Sequence, residues 1–155
     1  MFRILIPAVA ALGLVALAAR PGPADADPMI AVHTPVMSWS VHHEGALAKL
    51  TYGVAHSDQL ALMVTCMPGD TRAVVYGDMQ PEGARLIEAR HQVDPLSGGE
   101  AVEARLSLRD PWLTSLAERG RTTVVGEAGR FQLTASRQER RLVADFLAYC
   151  APGRI

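Results

Sequence analysis

The chain has 155 residues, of which 49% are hydrophobic and 20% are charged, and its formal net charge at pH 7 is −1. This near-neutral balance argues against nucleic acid as a partner, because nucleic-acid binding depends on clustered lysine and arginine that displace counterions. Lys49 is the one lysine among the 15 basic residues. The excess of arginine and alanine indicates a GC-rich bacterial genome.

The first 26 residues have the pattern of a secretory signal peptide. Arg3 precedes an apolar run over residues 4–19, and Ala24-Asp25-Ala26 offers small residues at the cleavage positions. We predict a leader over residues 1–26 and a single β-rich domain over residues 27–155. The apolar run is shorter than the roughly 20 residues that span a bilayer. We therefore expect a periplasmic or secreted protein with no membrane span after cleavage, and an uncleaved membrane anchor is the alternative.

Period-two alternation of apolar and polar residues, which is typical of half-buried strands, recurs along the chain after the leader. The predicted strands are residues 31–41, 46–52, 60–66, 71–76, 84–90, 102–108, 122–125 and 130–134. Short loops separate the second, third and fourth strands, and Met67-Pro68-Gly69-Asp70 has proline and glycine where a type II turn needs them. These three strands are therefore predicted to form an antiparallel meander.

Two helices are predicted in the second half of the chain. Asp110-Pro111 combines a capping residue with proline at the first helical position, and Gly120 suits the end of this short helix. Ser136 and Glu139 have capping-box spacing at the start of a last helix over residues 137–150. The predicted fold is a β-rich α+β domain, namely an antiparallel sandwich or partly open barrel with a short helix and a C-terminal helix.

The two cysteines, Cys66 and Cys150, are predicted to form a disulfide, since an even cysteine count in an exported chain favours pairing. Cys66 shares the inward positions of its strand with Val64, and Cys150 lies within the apolar stripe of the last helix, as does Phe146. Closing so long a loop would stabilise the protein by about 4 kcal/mol. Two free buried thiols are the alternative, whereas the absence of a Cys-x-x-Cys motif disfavours a redox-active pair.

The sequence contains no catalytic or cofactor-binding motif. The candidate metal ligands are His33, His42, His43, His56 and His91. Zinc needs three or four converging ligands, but the adjacent His42 and His43 point to opposite faces of a strand, so we predict no metal site and no cofactor. The chain also lacks Gly-x-Ser-x-Gly, Ser-x-x-Lys and a phosphate-binding glycine loop, and we therefore assign no catalytic residue.

Two further groups of side chains are candidates for binding. Arg137, Arg140 and Arg141 form a basic face on the last helix, which is either solvated or in contact with anionic envelope components. Trp39 and Trp112 are in phase with the apolar faces of their elements, so we predict that both are buried rather than ligand platforms.

The order of motifs resembles a known group of proteins. Trp39 leads a strand, Gly45-Ala46 and Tyr52-Gly53 mark a hairpin, and Cys66-Met67-Pro68-Gly69 forms a turn. This pattern is similar to short exported proteins of GC-rich Gram-negative bacteria, and the predicted helices and last hairpin extend the resemblance over most of the mature chain. These proteins have no assigned activity, so the resemblance implies no functional residues.

The absence of catalytic motifs and the β-rich fold favour a non-catalytic binding or envelope accessory protein of unknown partner, for which an envelope protein is one candidate. Loops in β-rich domains often form binding sites, so the loops at residues 54–58 and 95–99 are the first candidate binding sites. One alternative is a periplasmic hydrolase or metal-dependent enzyme whose site is assembled from distant residues. Another is an inhibitor or chaperone of an exported protein.

Overall fold

Two antiparallel sheets and two helices make up the fold in a computed structural model that describes residues 36–95 and 98–151. In chain order the elements are β1 (Met37–Glu44), β2 (Leu47–Val54), β3 (Leu60–Cys66), β4 (Arg72–Gly77), β5 (Gln80–Pro81), β6 (Ile87–Val93), β7 (Glu100–Ser107), α1 (Pro111–Arg119), β8 (Arg121–Gly126), β9 (Gly129–Thr134) and α2 (Arg137–Cys150). The predicted leader lies outside the described residues.

The larger sheet has six strands in the order β1-β2-β3-β4-β7-β6, and the smaller sheet has the order β5-β8-β9. The predicted β2-β3-β4 meander is confirmed, as is the β-rich α+β class. The strand order leaves β1 and β6 at the edges of the larger sheet. The described sheets are therefore not closed, and of the two predicted architectures the partly open barrel is not shown.

The sixth strand lies three residues further along the chain than predicted, at Ile87–Val93 instead of residues 84–90. The backbone N–H of Arg85 donates to Asp110 Oδ2 at 3.1 Å, and that of Leu86 donates to the Ala84 carbonyl at 3.1 Å. These groups are therefore not available to a sheet ladder. Glu88 has a φ of +54° at an irregularity in the β6–β7 register, which explains why the alternation is broken here.

One hydrophobic core joins residues of both sheets and both helices. Trp39 on β1 and Trp112 on α1 are both buried, as predicted. The Trp39 indole donates to the Thr134 carbonyl at 3.1 Å, and the Trp112 indole donates to the Thr123 carbonyl at 2.7 Å. Each tryptophan therefore fills the core and holds a strand of the smaller sheet.

The end of α2 is fastened to the β3–β4 turn. Cys66 and Cys150 lie at disulfide-bonding distance, with their Cα atoms 5.9 Å apart, and both side chains are buried. Gly69 within the turn donates its N–H to the Cys150 carbonyl at 3.1 Å. The predicted pairing and the inward orientation of both cysteines therefore agree with the structure.

The start of α2 is fastened to β1. Ser136 and Glu139 form the predicted capping box, and the Glu139 carboxylate accepts a second backbone hydrogen bond, from Trp39 N–H at 2.8 Å. The local spacing predicts the box but not this bond, whose partners lie 100 residues apart. Neither described helix is long and apolar enough to cross a membrane.

Candidate functional site

Arginine side chains gather at the end of the larger sheet where β4 begins and β7 ends. Arg72 on β4 is paired with Ser107 on β7. The next pair of the same ladder, Ala73 and Leu106, is buried in the core. Because successive strand residues point to opposite faces, Arg72 and Ser107 project from the outer face of the sheet.

Two more arginines reach the same end of the sheet from neighbouring segments. Arg109 follows β7, and Arg85 precedes β6. Together with Arg72 they line one surface cleft of about 470 Å³, to which Ser107 and Asp110 also contribute. We call this the arginine cleft. Its volume falls within the range of roughly 300 to 1,000 Å³ that is typical of small-molecule sites.

Asp110 holds the backbone of the cleft in place. Its Oδ1 accepts the Trp112 N–H at 2.8 Å and thereby caps α1, while its Oδ2 accepts the Arg85 N–H at 3.1 Å. Ser107 Oγ accepts the Arg109 N–H at 3.2 Å. Hydrogen bonds of the main chain therefore fix where Arg85 and Arg109 leave the backbone.

The cleft has an excess of positive charge. In the described part of the chain, ion pairs within 4.0 Å join Lys49 to Glu44, Arg105 to Glu88 and Arg130 to Glu82. The three guanidinium groups of the arginine cleft belong to none of these pairs. Asp110 is the one acidic residue that lines the cleft, and both of its oxygens already accept backbone hydrogen bonds. An anion that entered the cleft would therefore meet three cations with no described acidic partner.

A second cleft adjoins the first, because Arg72 also lines a cavity with Asp70 and Arg105. Arg105 Nε lies 3.3 Å from Glu88 Oε2, and both side chains are about half exposed. Its lining holds two arginines and one aspartate, so one positive charge is in excess, against two in the arginine cleft. The arginine cleft is therefore the stronger anion site of the two.

The candidate metal ligands that the structure describes lie on the surface. His42, His43, His56 and His91 are all exposed, and His33 lies outside the described residues. The ring of His43 packs edge-on against Tyr149, with centroids 4.7 Å apart. Over residues 36–95 and 98–151, no three His, Cys, Asp or Glu side chains gather where they could hold a metal ion.

The two candidate binding loops lie at the end of the larger sheet opposite to the arginine cleft. Residues 55–59 join the end of β2 to the start of β3, and residues 94–99 join β6 to β7, next to the end of β4. The first loop is closed by a hydrogen bond from Val54 N–H to the Gln59 carbonyl at 2.9 Å. Residues 96 and 97 of the second loop lie outside the described residues. Neither loop lines the arginine cleft.

The basic face predicted on α2 is divided by its contacts. Arg140 Nη1 donates to the Glu118 carbonyl at 3.0 Å at the end of α1, so Arg140 joins the two helices. Arg137 and Arg141 are exposed. The structure thus leaves two of the three predicted side chains on an open surface.

Sequence reasoning missed the arginine cleft because its residues come from three separate segments. The β4–β7 ladder brings Arg72 next to Ser107, and the hydrogen bond from Arg85 N–H to Asp110 brings Arg85 to the same place. The sequence offered one signal for a basic surface here, because Arg105 and Arg109 both fall on the polar side of the alternating pattern over residues 102–109. Comparison of the chain with protein-family models, with curated proteins and with solved structures gives no match.

Proposed function

We propose that this protein is a non-catalytic binding protein of the periplasm or the extracellular medium, and that it binds an anionic group in the arginine cleft. The observation behind this proposal is that Arg72, Arg85 and Arg109 line one cleft without a described acidic partner within 4.0 Å. Guanidinium groups bind carboxylate and phosphate through paired hydrogen bonds and keep their charge at every physiological pH.

The chemistry of the lining favours binding over catalysis. Arginine does not release a proton at ordinary pH, so the three guanidinium groups cannot act as general bases. Both Asp110 oxygens accept backbone N–H groups, so this carboxylate has a structural role. The cleft therefore offers charge and hydrogen-bond donors that hold a ligand, but no side chain suited to take a proton from it.

Two features support the proposed location. The sequence has a signal-peptide pattern over residues 1–26, and the cysteine pair at disulfide distance is compatible with an oxidising compartment. The two open sheets act as the layers of a sandwich, since residues of both enter one core. This arrangement leaves the outer face of the larger sheet, where the arginine cleft lies, accessible to a ligand.

Titration with inorganic phosphate, followed by the NMR signals of the arginine Nε–H groups, tests the proposal. We expect the signals of the cleft arginines to shift together. Arg72→Gln or Arg109→Gln should weaken binding by roughly 10- to 100-fold, because each removes a charge-assisted hydrogen bond. Arg141→Gln is the matched control, since it removes an equal charge from an exposed position on α2. If neither phosphate nor sulfate nor acetate shifts these signals, the proposal is wrong.

A further inference from the structure

We infer that the arginine cleft selects a phosphate monoester in its dianionic form. The inference rests on the proposed function, since it names the class of anion that the cleft would hold. A phosphate monoester carries a charge of about −1.5 to −2 at pH 7 and presents three strong acceptor oxygens. A carboxylate or a phosphodiester carries a single negative charge.

The charge of the cleft matches a dianion. Its lining contains three arginine charges and one aspartate charge, so two positive charges remain in excess. A monoanion would leave one of these charges without a partner. The neighbouring charges lie outside this lining: Arg105 is paired with Glu88, and Asp70 lines the adjoining cavity.

The donors of the cleft also suit a group with three acceptor oxygens. Arg72, Arg85 and Arg109 enter from three different segments, so each can approach a different oxygen of a tetrahedral group. Ser107 Oγ accepts the Arg109 N–H, and in the described part of the chain its own hydrogen is donated to no acceptor. A planar carboxylate has two oxygens and would leave part of this donor set unused.

The backbone that carries the cleft arginines is held in place without a ligand, while their side chains are exposed. Arg72 lies in the β4–β7 ladder, Arg85 is held through its N–H by Asp110, and Arg109 is held through its N–H by Ser107. Fixed backbone positions reduce the entropy that is lost when the side chains close on an anion. Because Asp110 itself caps α1, the helix end provides no separate anion site, and selectivity depends on the guanidinium groups.

Methyl phosphate and methyl sulfate are the probes that test this inference, because they share a shape but differ by one charge near pH 7.5. With the intact protein, we expect methyl phosphate to bind about tenfold or more tightly than methyl sulfate at pH 7.5. The preference should shrink towards pH 5.5, as the phosphate gains a proton with a pKa near 6. No histidine lines the cleft, so this change would belong to the ligand.

Variants link the preference to the cleft. Arg72→Gln and Arg109→Gln should each reduce the preference for methyl phosphate to about threefold or less, while Arg141→Gln keeps it. Circular dichroism establishes whether each variant is folded. If one of the two cleft variants does not fold, the other still tests the inference. Equal binding of the two probes would overturn the inference while leaving the proposed function intact. Failure of both probes to bind would overturn the inference, and the proposed function would fail with it only if phosphate, sulfate and acetate also do not bind.

A phosphate monoester could be a free metabolite or a lipid headgroup, and two further probes distinguish these sources. Glycerol 3-phosphate tests a soluble monoester, and phosphatidylcholine vesicles containing phosphatidic acid test a lipid monoester. Vesicles containing phosphatidylglycerol are the phosphodiester control. Binding of either monoester with loss in Arg72→Gln supports the inference and identifies the source, whereas equal binding to phosphatidylglycerol vesicles contradicts it.

Discussion

Glu139→Gln is expected to lower the free energy of unfolding by about 2 kcal/mol at pH 7. The carboxylate accepts Trp39 N–H through Oε1 at 2.8 Å and Ser136 N–H through Oε2 at 2.7 Å. Glutamine has one acceptor oxygen, so its NH₂ group would face the other backbone donor. An N–H left without an acceptor costs about 1–3 kcal/mol, and the loss of a negative charge at a helix N-terminus adds about 0.3–1 kcal/mol.

The effect should depend on pH. Burial alone would raise the pKa of Glu139, but hydrogen bonds from Ser136 and from the N–H of Trp39 outweigh burial, and the pKa is lowered from its ordinary value. The folded state therefore binds this proton less readily than the unfolded state. The stabilisation is complete above the unfolded pKa, near roughly 4.3, and is lost as pH falls through the folded pKa. The variant and the parent should therefore approach each other as pH falls below roughly 4.3 and converge once pH is below the folded pKa.

Urea denaturation at pH 7, 5 and 3.5, followed by tryptophan fluorescence, measures the difference. Glu127→Gln is the control, because Glu127 is exposed in the β8–β9 turn, and it should change the unfolding free energy by less than about 0.5 kcal/mol. Two results would contradict the role given to this carboxylate. One is a loss of unfolding free energy in Glu139→Gln at pH 7 that is as small as that of Glu127→Gln. The other is a loss that is the same at pH 3.5 as at pH 7.

Three more predictions follow from the structure. Cys150→Ser should lower the free energy of unfolding by about 4 kcal/mol in urea denaturation, since the bridge closes a loop of 84 residues; a change below about 1 kcal/mol would contradict the bridge. Gly77→Ala should lower the melting temperature much more than Gly45→Ala, because both have positive φ but only at Gly77 would a Cβ collide with the backbone of β3; equal losses would contradict this. Burial, and then the charge of Glu139, raise the pKa of Tyr52, so Glu139→Gln should lower that pKa in an ultraviolet titration, and an unchanged value would contradict the coupling.

The elements that sequence could predict are those defined by local patterns. The α2 helix begins at the predicted position because Ser136 and Glu139 lie three residues apart and bond within one turn. The turn at residues 67–70 likewise depends on Gly69, whose φ is +90°. The burial of Cys66 follows from alternation along β3. In each case the determining contacts lie within a few residues, where spacing is informative.

The elements that sequence missed depend on partners far apart in the chain. The β6 strand is displaced because Arg85 bonds Asp110, which lies 25 residues later. The arginine cleft exists because the β4–β7 register places Arg72 beside the end of β7. One sequence does not fix register between distant strands, since shifting a pairing by one residue exchanges the faces of a strand. The candidate site was therefore beyond prediction even where its strands were not.

The contacts of α2 also determine when the fold can be completed. Glu139 reaches Trp39 across 100 residues, Tyr149 Oη donates to the Ala46 carbonyl across 103 residues, and Cys150 meets Cys66. The β1–β2 hairpin and the β3–β4 turn therefore gain these contacts only after α2 has docked. Such long-range contacts slow folding. The sheet therefore reaches its final state only with α2 in place, and a chain truncated before this helix would lack the core residues Val143, Phe146 and Cys150.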